Sequence, residues 1–194
     1  MTDMTSPKLS QLAEEKAKRG LLFQREGKLE EAIEFYREAL AVEPHLPLVH
    51  YNLGIALHHQ GDLPGASTHY RQAIALNPND IQAIYNLAVV LQQQGLLEAA
   101  INNYQEVINL SPSQELIKIK AYSNWGGILI GQGNFNEAIE IFKKASALQP
   151  KDATLYNNLL QYRTLSSIPF CAELSIPLWV CCATVNMCNI VYTR

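Results

Sequence analysis

The sequence predicts an all-α solenoid built from stacked helix pairs, and three observations carry that prediction. Prolines stand at Pro44, Pro78, Pro112 and Pro150, spaced by 34, 34 and 38 residues. The alanines Ala32, Ala66, Ala100 and Ala138 repeat those spacings. So do the aromatics Tyr36, Tyr70, Tyr104 and Phe142, and the glycines Gly27, Gly61, Gly95 and Gly133. A single period shared by unrelated residue types marks a repeat array, in which each unit buries an apolar face on the next.

Each unit reads as two helices. In residues 47–80, Leu53, Gly54 and Leu57 recur at helical spacing and mark the buried face of a first helix. Gly61 supplies the left-handed backbone that stops it. Ala66, Tyr70 and Ala73 line a second helix at i, i+4 and i+7. The alanines let two backbones approach and the aromatic ring fills the space beside them. Pro78 ends the unit, and Asp80 is placed to cap the next helix by accepting an orphan backbone N–H.

Four units follow from this pattern: 13–46, 47–80, 81–114 and 119–152, together spanning 13–152, with 1–12 as an N-terminal tail. The first departs from the pattern at Lys16 and Arg19, where apolar residues are expected, which suits an end unit whose outer face meets water. The 38-residue gap places four extra residues between Pro112 and Asn124. Four residues are about one helical turn, so the simplest reading is a first helix of the fourth unit that starts a turn early; a longer loop is the alternative. Residues 153–166 begin a fifth unit with Asn158 and Leu159 in register, but Ser167 stands where a glycine is needed and Pro177 breaks any second helix.

The period of 34, the Leu-Gly pair, the glycine between helices, the alanine, the aromatic and the closing proline resemble the tetratricopeptide repeat. The resemblance implies a right-handed superhelix whose concave groove holds a protein or peptide partner. In that family Asn52, Asn86, Asn124 and Asn158 would face the groove, each at the same place in a successive first helix. A carboxamide both donates and accepts, so a column of them can hold the peptide groups of an extended partner whatever its side chains. Such asparagine ladders line the substrate-holding superhelix of O-linked GlcNAc transferases. Copying by duplication, or asparagines that bridge neighbouring helices, would give the same column. Near it the resemblance puts Tyr51, His58, Tyr85, Gln92, Gln93 and Lys120, polar and aromatic with little charge. Ala17 and Asn86 fall where relatives that clamp a terminal carboxylate carry basic residues, so that clamp is not expected. The leading function is a peptide-binding scaffold. The alternative is the docking segment of a larger enzyme such as an O-linked glycosyltransferase.

Little else in the chain suggests chemistry. No GxxxxGK, GxSxG or HExxH motif occurs, and Gly131-Gln132-Gly133 reads as a helix terminator. His58 and His59 are adjacent, so they point about 100° apart on a helix and do not share a metal ion. Glu14-Glu15 and Glu30-Glu31 read as solvated helix faces. No catalysis, metal or cofactor is therefore expected of these residues. The formal charge of −3, from 15 basic and 18 acidic residues, gives no reason to expect nucleic acid.

All four cysteines, Cys171, Cys181, Cys182 and Cys188, lie near the C-terminus, and the N-terminus lacks the apolar stretch of a secretory signal. A reducing, cytoplasmic location is the expectation. From Leu174 to Thr193 there is no charge. That segment is open to three readings: a short membrane anchor, for which its length is marginal, an irregular cap over the end of the fourth unit, or an out-of-frame or truncated end of a longer array. The abrupt change of composition favours the last, and no membrane partner is expected. Self-association through the exposed end of the fourth unit is a further possibility.

Overall fold

The computed structural model describes residues 6–111 and 113–148, and they form eight helices with no strand among them. The helices are α1 (Ser6–Arg25), α2 (Leu29–Val42), α3 (Pro47–Gln60), α4 (Leu63–Leu76), α5 (Ile81–Gln93), α6 (Leu97–Leu110), α7 (Glu115–Gly131) and α8 (Phe135–Leu148). The fold is an all-α helical repeat. Two compact units divide after Pro112, the first holding α1–α6 and the second α7 and α8. In the first unit α1 packs on α2, α3 on α4 and α5 on α6, and each pair meets the next through α2–α3 and α4–α5. In the second, α7 packs on α8.

The period is visible in the core. Tyr36, Tyr70 and Tyr104 are completely buried, as are Ala32, Ala66 and Ala100; in the second unit Phe142 and Ala138 are nearly so. The rings lie against glycines of the partner helix. A Cβ on Gly20, Gly54 or Gly126 would come within 2.7, 2.7 and 2.6 Å of the rings of Tyr36, Tyr70 and Phe142. In the third pair the matching residue is Ala88, also buried. Between the helices of each pair, Gly27, Gly61, Gly95 and Gly133 take φ of +76°, +90°, +77° and +78°, a left-handed turn that a side chain would strain. Asp80 caps α5, its Oδ1 accepting from the N–H groups of Gln82 and Ala83 at 3.1 Å each. Asp62 caps α4 through Gly65 at 2.9 Å.

Two expectations change. Residues 6–12 are not tail: α1 begins at Ser6, because Leu9, Leu12 and Ala13 at i, i+3 and i+4 extend its partly buried face. Lys16 does not simply meet water either. It is half-buried and its Nζ lies 2.5 Å from Glu38 Oε2 on α2, tying the first pair together. The extra residues before the fourth unit are helical, since α7 has 17 residues against 14 in α3 and 13 in α5. The readings of 153–166 and 167–194 lie outside the described residues. No helix among the described residues is long and apolar enough to cross a membrane.

Candidate functional site

The first helices of the first unit, α1, α3 and α5, carry most of the residues singled out in the sequence. Regular spacing places equivalent side chains at equivalent heights, and their neighbours then decide what each can do.

At the joint of α3 and α5 the positions are occupied by mutual bonds. Asn86 Nδ2 donates to Tyr51 Oη at 3.2 Å. Tyr51 in turn leans on Tyr70, ring centroids 6.0 Å apart. Burial, with help from Asp80, pushes the Tyr51 phenol above its ordinary acidity range, while the Asn86 bond pulls it back. Burial raises Tyr70 further. At the other end of the same joint His58 Nε2 lies 2.8 Å from Gln93 Oε1. An amide oxygen only accepts, so His58 carries its proton on Nε2. These two bonds bridge residues 35 apart in sequence, so they tie one helix pair to the next.

Gln92 belongs to its own pair as much as to the groove. Its Oε1 accepts from Tyr104 Oη at 2.8 Å, as Gln24 Oε1 accepts from Tyr36 at 2.7 Å. The residue twelve before the core aromatic is thus a glutamine in the first and third pairs, whereas in the second it is His58, which turns to Gln93 instead. In the second unit it is Ile130, opposite a phenylalanine without a hydroxyl. Burial lifts the Tyr36 phenol to about 12, so this hydroxyl donates throughout the physiological range. Tyr85 is half-buried with its ring 6.0 Å from Tyr104.

The joint of α1 and α3 differs. Stepping back one period from Tyr51 and Tyr85 gives Ala17. Asn52 therefore meets no phenol from the preceding helix and lines an open depression of about 240 Å³. Its walls are Ala17 and Leu21 from α1 and Leu46–Val49 at the start of α3, with Glu14 and Lys18 on its rim. Leu48 is two-thirds exposed there (67%). Sequence reasoning did not single out this depression, although the break in the tyrosine column at Ala17 was its signal. In the second unit, Asn124 is half-buried and Lys120 exposed on α7. Asn158 lies outside the described residues. No group of three or more His, Cys, Asp or Glu side chains able to hold a metal ion occurs among the described residues.

Comparison with known proteins reaches the same repeats. A family pattern described as TPR repeat matches residues 20–61 and 56–95, and one described as Tetratricopeptide repeat matches residues 80–151. No curated protein sequence matches. Among solved structures, the crystal structure of MamA is 29% identical with a TM-score of 0.67, covering 73% of this chain and 81% of that one. MamA 41-end from Desulfovibrio magneticus RS-1 is 24% identical with a TM-score of 0.74, covering 89% and 94%. The first TPR of Spaghetti (RPAP3), solved bound to the HSP90 peptide SRMEEVD, is 23% identical with a TM-score of 0.59, covering 64% and 95%. The last two likenesses speak to the fold alone.

Proposed function

Because the chain belongs to the tetratricopeptide-repeat family, we propose that it is a protein-interaction scaffold that holds an extended peptide against the first helices of its repeats. The observation that carries this reading is the contrast between two equivalent asparagines. Asn86 spends a donor on Tyr51, whereas Asn52 stands beside an apolar depression. A carboxamide next to apolar walls suits an extended segment: the amide takes a peptide group and the depression takes a side chain. Asn86 would extend the contact along the segment, and Asn124 on α7 is a candidate peptide contact of the second unit. Kinship to the superhelix of O-linked GlcNAc transferases in particular, and with it the docking segment of a larger enzyme, rests on the asparagines alone. The test is selection of binders from a random-peptide phage library, followed by affinity measurement on Asn52→Ala and Asn86→Ala. Loss of one hydrogen bond to a peptide group costs roughly two- to tenfold in affinity. Asn52→Ala should show that loss more strongly than Asn86→Ala. A folded Asn52→Ala that binds its selected peptides unchanged refutes the reading.

A further inference from the structure

Two histidines that no repeat pattern accounts for meet in the second helix pair. His50 sits on α3 and is almost fully buried; His69 sits on α4 and is half-buried. Their Nδ1 atoms are 3.0 Å apart and their rings stack at 5.3 Å. His50 Nε2 is 3.0 Å from the carbonyl oxygen of Pro44, in the loop between α2 and α3. The tautomers follow from this geometry. A carbonyl only accepts, so His50 Nε2 carries the proton and its Nδ1 is the acceptor. His69 must then donate from Nδ1. The result is one directed chain, from His69 Nδ1–H to His50 Nδ1 and from His50 Nε2–H to Pro44, which ties α4, α3 and the loop together.

A proton, rather than a metal ion, is what this pair is built to share. Structural metal sites take about four ligands, and no cluster of three candidate ligands lies among the described residues. The groups around His69 oppose added charge. Burial acts most strongly, then His50, then Arg37 on α2, and only Asp62 at the cap of α4 favours the cation. The neighbouring helix α5 carries no charged residue. Glu43, one residue before Pro44, has a carboxylate oxygen that is buried and without a hydrogen-bond partner among the described residues.

We propose that the His50–His69 pair is a proton-operated latch on the loop 43–46, closed when both rings are neutral and opened when His69 gains a second proton. The proton is accepted from solvent at Nε2, the nitrogen of His69 that does not face His50. The resulting imidazolium is poorly hydrated beside Arg37, and it regains water by turning out from α4. That movement removes the donor from His50 Nδ1. His50 then loses one of its two anchors and holds Pro44 less firmly. The loop matters because Leu46–Val49 form one wall of the depression at Asn52, so opening the latch loosens that wall. The bearing on peptide capture rests on the function proposed above; the latch itself does not.

The test therefore needs no ligand. Imidazole ¹⁵N spectra of the intact protein should show His50 protonated at Nε2 and His69 at Nδ1 in neutral solution. On acidification His69 should titrate and the His50 resonances should move in step with it. Amide hydrogen exchange, corrected for its intrinsic pH dependence, should show protection falling roughly two- to tenfold at Val49 and His50. Both amides are held by Leu46 at 3.1 Å. In His69→Gln, whose amide can still donate to His50 but does not titrate, protection should be independent of pH. The opposite tautomers in the wild-type spectra overturn the proposal. So does protection that is flat with pH in the wild type, or that falls equally in the variant.

Discussion

Gly126 and Gly127 are neighbours in the middle of α7, and alanine at the two positions should act with opposite sign. The backbone contribution is common to both. Replacing a helical glycine by alanine gains about 0.8–1.0 kcal/mol through reduced freedom of the unfolded chain. The surroundings differ. Around Gly127 nothing lies within 4 Å of an added Cβ, so Gly127→Ala should stabilise by about 1 kcal/mol. At Gly126 the same methyl would stand 2.6, 2.7 and 2.9 Å from Cζ, Cε2 and Cε1 of Phe142. That ring is 2% exposed and packs with Leu129, Ala138 and Ile141, so it has no empty space to move into. Forcing a methylene-sized group into such a core costs about 1–3 kcal/mol. Against the same gain, Gly126→Ala should come out between neutral and about 2 kcal/mol destabilising. Urea denaturation of the two variants beside the wild type measures both. For a chain of this size each kcal/mol moves the melting point by about 2–4 °C, so thermal melts should rank the variants identically. If Gly126→Ala is as stable as Gly127→Ala, the close approach of helix backbone to aromatic ring is not what the glycine is for.

Three further outcomes follow. Tyr104→Phe and Gln92→Ile should each destabilise by about 1 kcal/mol by stranding a buried partner, while the double variant, which copies the Phe142–Ile130 arrangement, should recover much of the loss; a double-mutant cycle by urea denaturation reads the coupling. Asn86→Ala removes the bond that pulls the Tyr51 phenol down, so Tyr51 should titrate at higher pH than in the wild type when followed by ¹³C-labelled tyrosine NMR. His69 binds its proton less readily in the folded protein than its ordinary value of 6.5. The unfolded chain therefore takes up the proton first as pH falls. Stability should be full above about 6.5, decline through the interval down to the folded value and then level off, and His69→Gln should lack that decline in melts taken across pH.

The helix pairs were legible because their determinants repeat. The glycine that ends a first helix, the alanine that admits a neighbour and the aromatic that fills the gap each recur at one period, and each acts locally. The extra turn of α7 was legible from a spacing alone. The start of α1 was misplaced because the repeat template begins at residue 13, although Leu9 and Leu12 already continued the apolar face. What could not be read was which polar groups satisfy one another. Gln92 and His58 stand on equivalent faces, yet one turns to its own tyrosine and the other to the next pair. The choice depends on side-chain reach across a packed joint, not on position in the period. His50 and His69 had no counterparts to align with, so periodicity was silent about them. Their registers hold Lys16 and Phe35 one unit earlier, and Ile84 and Asn103 one unit later.

Identical asparagines need not have identical roles, and the deciding residue is one helix away. A carboxamide that already donates to a phenol can serve a partner only with its remaining capacity, or by giving up the bond it has. Net hydrogen-bond contributions are about 0.5–1.5 kcal/mol, so exchanging one partner for another yields little affinity. Asn86 is in that position because Tyr51 precedes it; Asn52 is not, because Ala17 does. Placing a tyrosine at position 17 should therefore close the difference in two ways, filling the depression with a ring and offering Asn52 the bond that Asn86 already has. If the first joint is where a peptide gains its hold, Ala17→Tyr should weaken capture more than Asn52→Ala does, since it removes the apolar cavity as well as the amide. If Ala17→Tyr binds selected peptides as the wild type does, the hold lies elsewhere along the repeats and the tyrosine break in the column has no functional weight.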